Sequence, residues 1–253
     1  MEKESLKKIY FITETPGYHT DGSRTVYLNG VCYHVKNISS QRLTNELISN
    51  ILAQKGNLNT PELEIGITMD NQLSLLSKDF RIPGKRYLSG FALSPQYYGN
   101  PNIFNTIQEY EEFLNQIEDR DTEILLLQLL KMSVFDAFRK EQDRNGYNYY
   151  FEEDNYNHMI LIDHSESFFG KKRYFVQNEQ FSFPSKSNTI IPYLQKYKEL
   201  REMVQLYRDM DMENIFQEFE NTYPIFLSNE QKESYKKEVE GPKKVFSNWL
   251  NKM

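Results

Sequence analysis

Three oxygen-bearing side chains constrain this chain more tightly than any other feature. Asp143 and Asn148 stand five residues apart in Gln142-Asp143-Arg144-Asn145-Gly146-Tyr147-Asn148, and Asp163 follows Asp143 by twenty residues in Leu161-Ile162-Asp163-His164-Ser165. Between them, Tyr149-Tyr150-Phe151 and Met159-Ile160-Leu161-Ile162 read as a strand pair around the polar turn Glu152-Glu153-Asp154-Asn155. Such a hairpin carries the chain away and returns it to where it started. A loop bearing one carboxylate and one amide is thereby met by a second carboxylate.

That trio suits phosphoryl transfer. One carboxylate, Asp143, orients an attacking hydroxyl, while Asn148 and Asp163 offer oxygen ligands that hold Mg2+ against the phosphates of ATP. Each residue also has an ordinary reading alone: Asp143 in a solvated turn after a helix, Asn148 as a turn residue at a strand entry. Asp163 ends an apolar strand, where a carboxylate is costly without a cation or donor beside it. The joint spacing favours the base and metal roles.

The 253 residues suffice for one large or two small domains, and 39% apolar with 26% charged content is that of a globular chain. A net charge of -6 argues against direct nucleic-acid binding. The lone cysteine, Cys32, excludes an intrachain disulfide and fits a reducing compartment. The charged start Met1-Glu2-Lys3-Glu4 lacks the apolar run of a signal peptide, and the run Ile124 to Leu130 is too short to span a membrane. The expectation is a soluble cytoplasmic protein with no membrane association.

Along the chain, residues 9–13 and 25–36 read as strands, the second interrupted by an Asn29-Gly30 hairpin turn. The intervening loop holds Gly17, Gly22 and Ser23, whose backbone amides are candidates to cradle phosphates. Leu43, Leu47, Ile48, Ile51 and Leu52 predict a helix from about Ser40 to Gln54, ended by Lys55-Gly56-Asn57. Two more strands follow at Leu63 to Ile67 and Leu73 to Leu76, then a Tyr-, Gly- and Pro-rich loop over 84–104. Helices are predicted at 107–117, at 122–139, where the segment is apolar nearly all round, and at about 190–208, 212–220 and 229–250. The expected fold class is α+β and two-lobed. A small β-rich N-lobe with one helix (1–80) precedes a larger, mostly helical C-lobe (81–253).

With these residues in view, the chain resembles the HipA-like serine/threonine kinases of bacteria. Asp143-Arg144 followed by Asn148 is similar to that family's Asp-Arg-His-x-x-Asn loop, with Asn145 in place of the His. Asp163 resembles its metal-binding Asp after the hairpin. Tyr33-His34-Val35-Lys36 is similar to its ATP-lysine strand and Thr44-Asn45-Glu46-Leu47 to its Asn-Glu helix start. The 15–24 loop is poorer in glycine than the family's, and the family's N-terminal extra subdomain has no counterpart, as in a short member.

The resemblance implies a protein-kinase-like fold and an ATP- and Mg2+-dependent protein kinase. Asp143, Lys36 and Glu46 would be catalytic. Lys36, Gly17, Gly22 and Ser23 would bind the nucleotide, with Ser23 an autophosphorylation candidate, and Asn148 and Asp163 would hold the metal. It also implies toxin-antitoxin biology, with an antitoxin partner and a translation component such as an aminoacyl-tRNA synthetase as protein substrate. The alternatives are a pseudokinase binding module and a small-molecule or lipid kinase. Lys36 ends an apolar strand and Glu46 lies off the main apolar stripe of its helix, so each also reads as an ordinary solvated residue.

Overall fold

The computed structural model describes residues 9–12, 24–68, 72–90, 122–141, 144, 147–153, 155–169 and 190–253. The fold is α+β, with a small β-rich lobe carrying one helix and a larger, mostly helical lobe. The first five strands are β1 (Ile9–Ile12), β2 (Arg24–Leu28), β3 (Val31–Lys36), β4 (Leu63–Thr68) and β5 (Leu73–Lys78). They form one sheet in the order β1-β4-β5-β3-β2, antiparallel except for the parallel β1–β4 pair. The β2–β3 turn is Asn29-Gly30, with φ of 52° and 78°. Two consecutive positive values are what a tight hairpin turn twisted like its strands requires.

β3 shows how the sheet aims its side chains. Tyr33 and Val35 point to one face, where they join Ile12, Val26 and Leu76 in a small apolar cluster. A strand alternates faces, so His34 and Lys36 project to the other side. Their cross-strand partners on β5 are Ser77 and Leu75.

α1 (Ser40–Lys55) crosses between the sheet and the rest of the molecule. Ser39 caps its start by accepting from Arg42 N, and Gly56 closes its end by donating to Leu52 O at 3.0 Å. Every residue from Leu43 to Ala53 is buried, polar ones included. The helix lies in the main core with α2 (Thr122–Arg139), the helices α3 (Ile191–Lys196), α4 (Lys198–Asp209), α5 (Met212–Thr222) and α6 (Asn229–Leu250), and the hairpin described below. Tyr207 of α4 donates to Leu52 O at 3.0 Å, a buried polar link within that core.

The second sheet has three antiparallel strands in the order β6 (Tyr87–Ser89), β7 (Tyr149–Glu152) and β8 (Asn155–Leu161). β6 falls inside the 84–104 segment expected to be loop; residues 91–104 and the expected helix at 107–117 lie outside the described residues. Three residues of edge strand carry too little periodicity to stand out from a Tyr- and Gly-rich sequence. The helix expected at 190–208 is broken at Tyr197, where φ of -105° and ψ of 106° leave the helical region, giving α3 and α4. The helices expected at 212–220 and 229–250 are present as α5 and α6. α6 opens with a Ser228–Gln231 capping box. Among the described residues, no helix is long and apolar enough to cross a membrane.

Candidate active site

The β7–β8 hairpin brings two of the predicted ligands together. Tyr149 pairs with Leu161, and one step beyond that pair Ile162 N donates to Asn148 O at 3.0 Å. Asn148 enters the hairpin and Asp163 leaves it, so both stand at its open end. Both line a cleft of about 450 Å³. Lys36 reaches the cleft from the free face of β3, and Glu46 reaches it from α1. Asp143, Gly17, Gly22 and Ser23 lie outside the described residues.

Asp163 is the centre of the polar end of the cleft. Its backbone has φ of +56°, a conformation uncommon outside glycine and tolerated best by Asp and Asn. Strain of that kind persists where the surroundings over-determine it. Lys36 Nζ lies 3.0 Å from Asp163 Oδ2, and Ser165 donates to Asp163 Oδ1 at 3.1 Å. Burial pushes the Asp163 carboxyl up, but the Lys36 charge and the hydrogen bonds from Lys36, Glu46 and Ser165 outweigh it and hold it below the usual carboxylate range. Asp163 therefore stays ionised.

Glu46 differs from the exposed helix residue that its wheel position suggests. It is 2% exposed, in a helix buried without a break from Leu43 to Ala53, and it is bonded to Asp163 and the His164 backbone in the segment after β8. Burial, followed by the negative charge of Asp163, pushes its carboxyl up to about 8, against the opposing Lys36 charge and a backbone hydrogen bond from His164. The two carboxyl groups share a hydrogen bond. The neutral acid Glu46 is the donor and the Asp163 carboxylate the acceptor. Lys36 was expected to pair with Glu46 over the phosphates; its 3.0 Å partner is Asp163, and Glu46 couples to the same pair.

Arg144 organises the floor. Its Nη1 donates to Asn148 O at 2.8 Å and Ile162 O at 3.0 Å, while Nε and Nη2 grip both oxygens of Asp136 at 2.9 and 3.0 Å. One planar fork thus fastens both ends of the hairpin to α2. Burial pushes the Asp136 carboxyl up, yet Arg144 and Arg139 beside it hold it below its ordinary value. His164 Nδ1 lies 3.2 Å from Arg144 Nη2. An arginine only donates, so Nδ1 accepts and the neutral ring carries its proton on Nε2. Burial, then the Arg139, Arg144 and Lys36 charges, push His164 well below its ordinary pKa.

Sequence reasoning had no signal for Asp136 and Arg139 as site supports. Their only mark was to be charged residues near the end of an otherwise apolar helix. His34 carries no signal of its own in the sequence either, although it lines the cleft two residues before Lys36 on the same face.

The residues present fit a Mg2+–nucleotide. An ionised carboxylate and an amide oxygen sit at one end of the cleft, and Mg2+ characteristically takes one or two carboxylates and completes its shell with water and phosphate oxygens. Leu63, Leu75, Phe80, Tyr150 and Leu161 supply apolar walls at a size suited to a small ligand. Among the described residues no three His, Cys, Asp or Glu side chains converge as in an all-protein metal cage.

No family model matches the sequence, and no curated protein matches it. Solved structures do match. The proinflammatory kinase CtkA of Helicobacter pylori superimposes with a TM-score of 0.69 at 13% identity, covering 98% of this chain and 99% of that one. HipA of Shewanella oneidensis MR-1, solved with HipB and operator DNA as a toxin-antitoxin system, gives a TM-score of 0.51 at 13% identity. That match covers 94% of this chain and 66% of HipA. The likeness extends over nearly the whole chain, both sheets and the helices together, and the chain has the HipA-like kinase fold.

Proposed function

We propose that this chain is an ATP- and Mg2+-dependent protein kinase that phosphorylates Ser or Thr on a protein substrate. The observation that carries this reading is the convergence of Lys36, Glu46, Asn148 and Asp163 on one cleft, from β3, α1 and the open end of the β7–β8 hairpin, with Asp163 held ionised in a left-handed conformation. A structural ion pair does not require a cleft, an amide ligand and backbone strain at the same place.

In this reading Lys36 neutralises phosphate charge and Glu46, through Asp163, limits where Lys36 rests. Asn148 and Asp163 would hold Mg2+, which would supply positive charge against the negative charge that develops on the phosphate oxygens. Asp143, five residues before Asn148, orients the acceptor hydroxyl and takes its proton. Gly17, Gly22 and Ser23 grip the phosphates through backbone amides. We infer for this chain a toxin-antitoxin setting in the cytoplasm, on the likeness to HipA. An antitoxin protein would restrain the kinase, and its substrate would be a component of translation such as an aminoacyl-tRNA synthetase.

The test is a thermal-shift scan beside a γ-labelled ATP transfer assay. Ligand at a hundredfold excess over Kd stabilises by ~2.7 kcal/mol. Melting should rise with ATP plus Mg2+ and rise less with ATP plus EDTA. Asp143→Ala should abolish transfer and keep the shift. Absence of any shift at millimolar nucleotide sinks the reading. A shift without transfer in the wild type leaves a nucleotide-binding pseudokinase.

A further inference from the structure

Asp163 is carried by the segment 163–169, and one buried side chain ties that segment to three other parts of the molecule. Arg139, the last residue of α2, is fully buried. Its Nη1 donates to Ser49 Oγ on α1 at 3.0 Å and also to Ser167 Oγ. Its Nη2 faces Asp136 Oδ1 at 2.7 Å and Glu141 Oε2 at 2.8 Å. Its carbonyl accepts from Phe168 N at 2.7 Å. Ser167 closes the ring, with its Oγ 2.9 Å from Glu141 Oε2 and 2.7 Å from His164 O. A second clamp runs alongside: Asn45 Nδ2 on α1 donates to Ser165 O at 3.0 Å and Ser167 O at 2.8 Å.

Stability alone does not account for this network. A buried ion pair carries a desolvation cost that well-packed apolar residues of the same volume avoid. What a guanidinium fork supplies is direction, since its donors have a fixed geometry. None of Arg139, Ser49, Ser167 and Glu141 lines the cleft, so their influence on it passes through the backbone they hold. That backbone includes Asp163 in its left-handed conformation, and Ser49 sits three residues beyond Glu46 on α1.

We propose that Arg139 and Ser167 are positioning residues. They fasten the 163–169 segment to α1, so that Asp163 and Glu46 meet the cleft as one rigid unit, and this unit sets the affinity for the divalent cation. The identity of the cation site rests on the kinase reading above; the fastening does not.

Ser167→Ala in the full chain removes one hydroxyl and leaves every charge in place. Two measurements read it. Amide hydrogen exchange without ligand should speed up over 163–169 by at least ~10-fold, while α4 and α5 keep wild-type protection. Mn2+ titrated in the presence of ATP and followed by the electron-spin signal of free Mn2+ should bind about 10-fold more weakly, the range seen when a ligand's supporting partner is removed. Nucleotide affinity measured in EDTA should stay at the wild-type value. Should Ser167→Ala fail to fold, Ser49→Ala removes the other hydroxyl acceptor and is read in the same way. A folded variant with unchanged exchange, or with unchanged Mn2+ affinity, overturns the inference alone. Wild-type protein that binds no Mn2+ beside ATP overturns the kinase reading and this inference together.

Discussion

Lys36 Nζ and Asp163 Oδ2 stand 3.0 Å apart, one at the end of β3 and the other at the end of the β7–β8 hairpin. The pair is partly exposed, at 25% and 33% of each side chain, so solvent softens its energy. Its consequence is positional. It joins the two lobes' contributions across the cleft, with Glu46 beside it as a neutral hydrogen-bond donor. Three titratable groups thus share one position, with one positive and one negative charge among them at neutral pH.

Because these groups act as a unit, their effects on transfer should not add. Lys36→Met and Glu46→Ala, which removes the hydrogen-bond donor as well as the acid, are each expected to slow transfer at least ~10-fold, about 1.4 kcal/mol of barrier. The double variant should be little slower than the weaker single variant. Steady-state transfer rates on the three proteins check this. Strictly additive losses would mean that Glu46 and Lys36 serve the site separately.

Glu46 should leave a signature in stability against pH. Its folded pKa, about 8, lies above the ordinary 4.5, so the folded protein holds a proton that the unfolded chain has released. Stability from this group is complete below about pH 4.5 and is lost as pH rises through about 8. The slope is up to ~1.4 kcal/mol per pH unit within that window. Glu46→Gln cannot release a proton, so the difference in unfolding free energy between variant and wild type should grow in the variant's favour from pH 5 to pH 9. Denaturant titrations at several pH values measure it, and a constant difference would show that Glu46 is ionised in the folded state throughout.

Asp136 faces two buried guanidinium groups, and Asp136→Asn leaves Arg144 without its two-point carboxylate partner and Arg139 with Glu141 alone. Removing one partner from a buried ion network costs roughly 3–5 kcal/mol. The urea midpoint should fall accordingly. A loss below about 1 kcal/mol, the worth of an exposed pair, would mean that water reaches this network.

Gly56 ends α1 against Tyr207. A Cβ at that position would lie 2.2 Å from the Tyr207 hydroxyl oxygen and 3.0 Å from Cζ. Tyr207 is fully buried and bonded to Leu52 O, so it has little room to yield. Gly56→Ala is therefore expected to cost about 1–3 kcal/mol through overpacking, seen as a lower melting temperature. A melting temperature equal to wild type would show that α4 shifts freely against α1.

The sequence alone determined most of the local elements and their order, though neither the short strand β6 nor the break at Tyr197. The alternation at Tyr33-His34-Val35-Lys36 placed Lys36 on the face opposite the valine, and the apolar repeat from Leu43 to Leu52 set α1. The residue count between Asp143, Asn148 and Asp163 required a returning hairpin, and the described part of it does return, with Asn148 and Asp163 side by side at its open end. These are properties of periods and spacings, which a backbone obeys wherever it lies. Tertiary structure decided what those periods cannot express. Glu46 sits on a flank that a helical wheel leaves to solvent, yet the folded chain buries it beside Asp163 and Lys36 and so turns an ordinary acid into one with a raised pKa. Arg139 and Asp136 looked like stray charges on an apolar helix until Ser49 came against them from α1, and Glu141 and Arg144 folded back from the segment just after the helix. A pKa and a hydrogen-bond partner belong to the assembled environment of a residue. They became visible only once burial had brought those groups together.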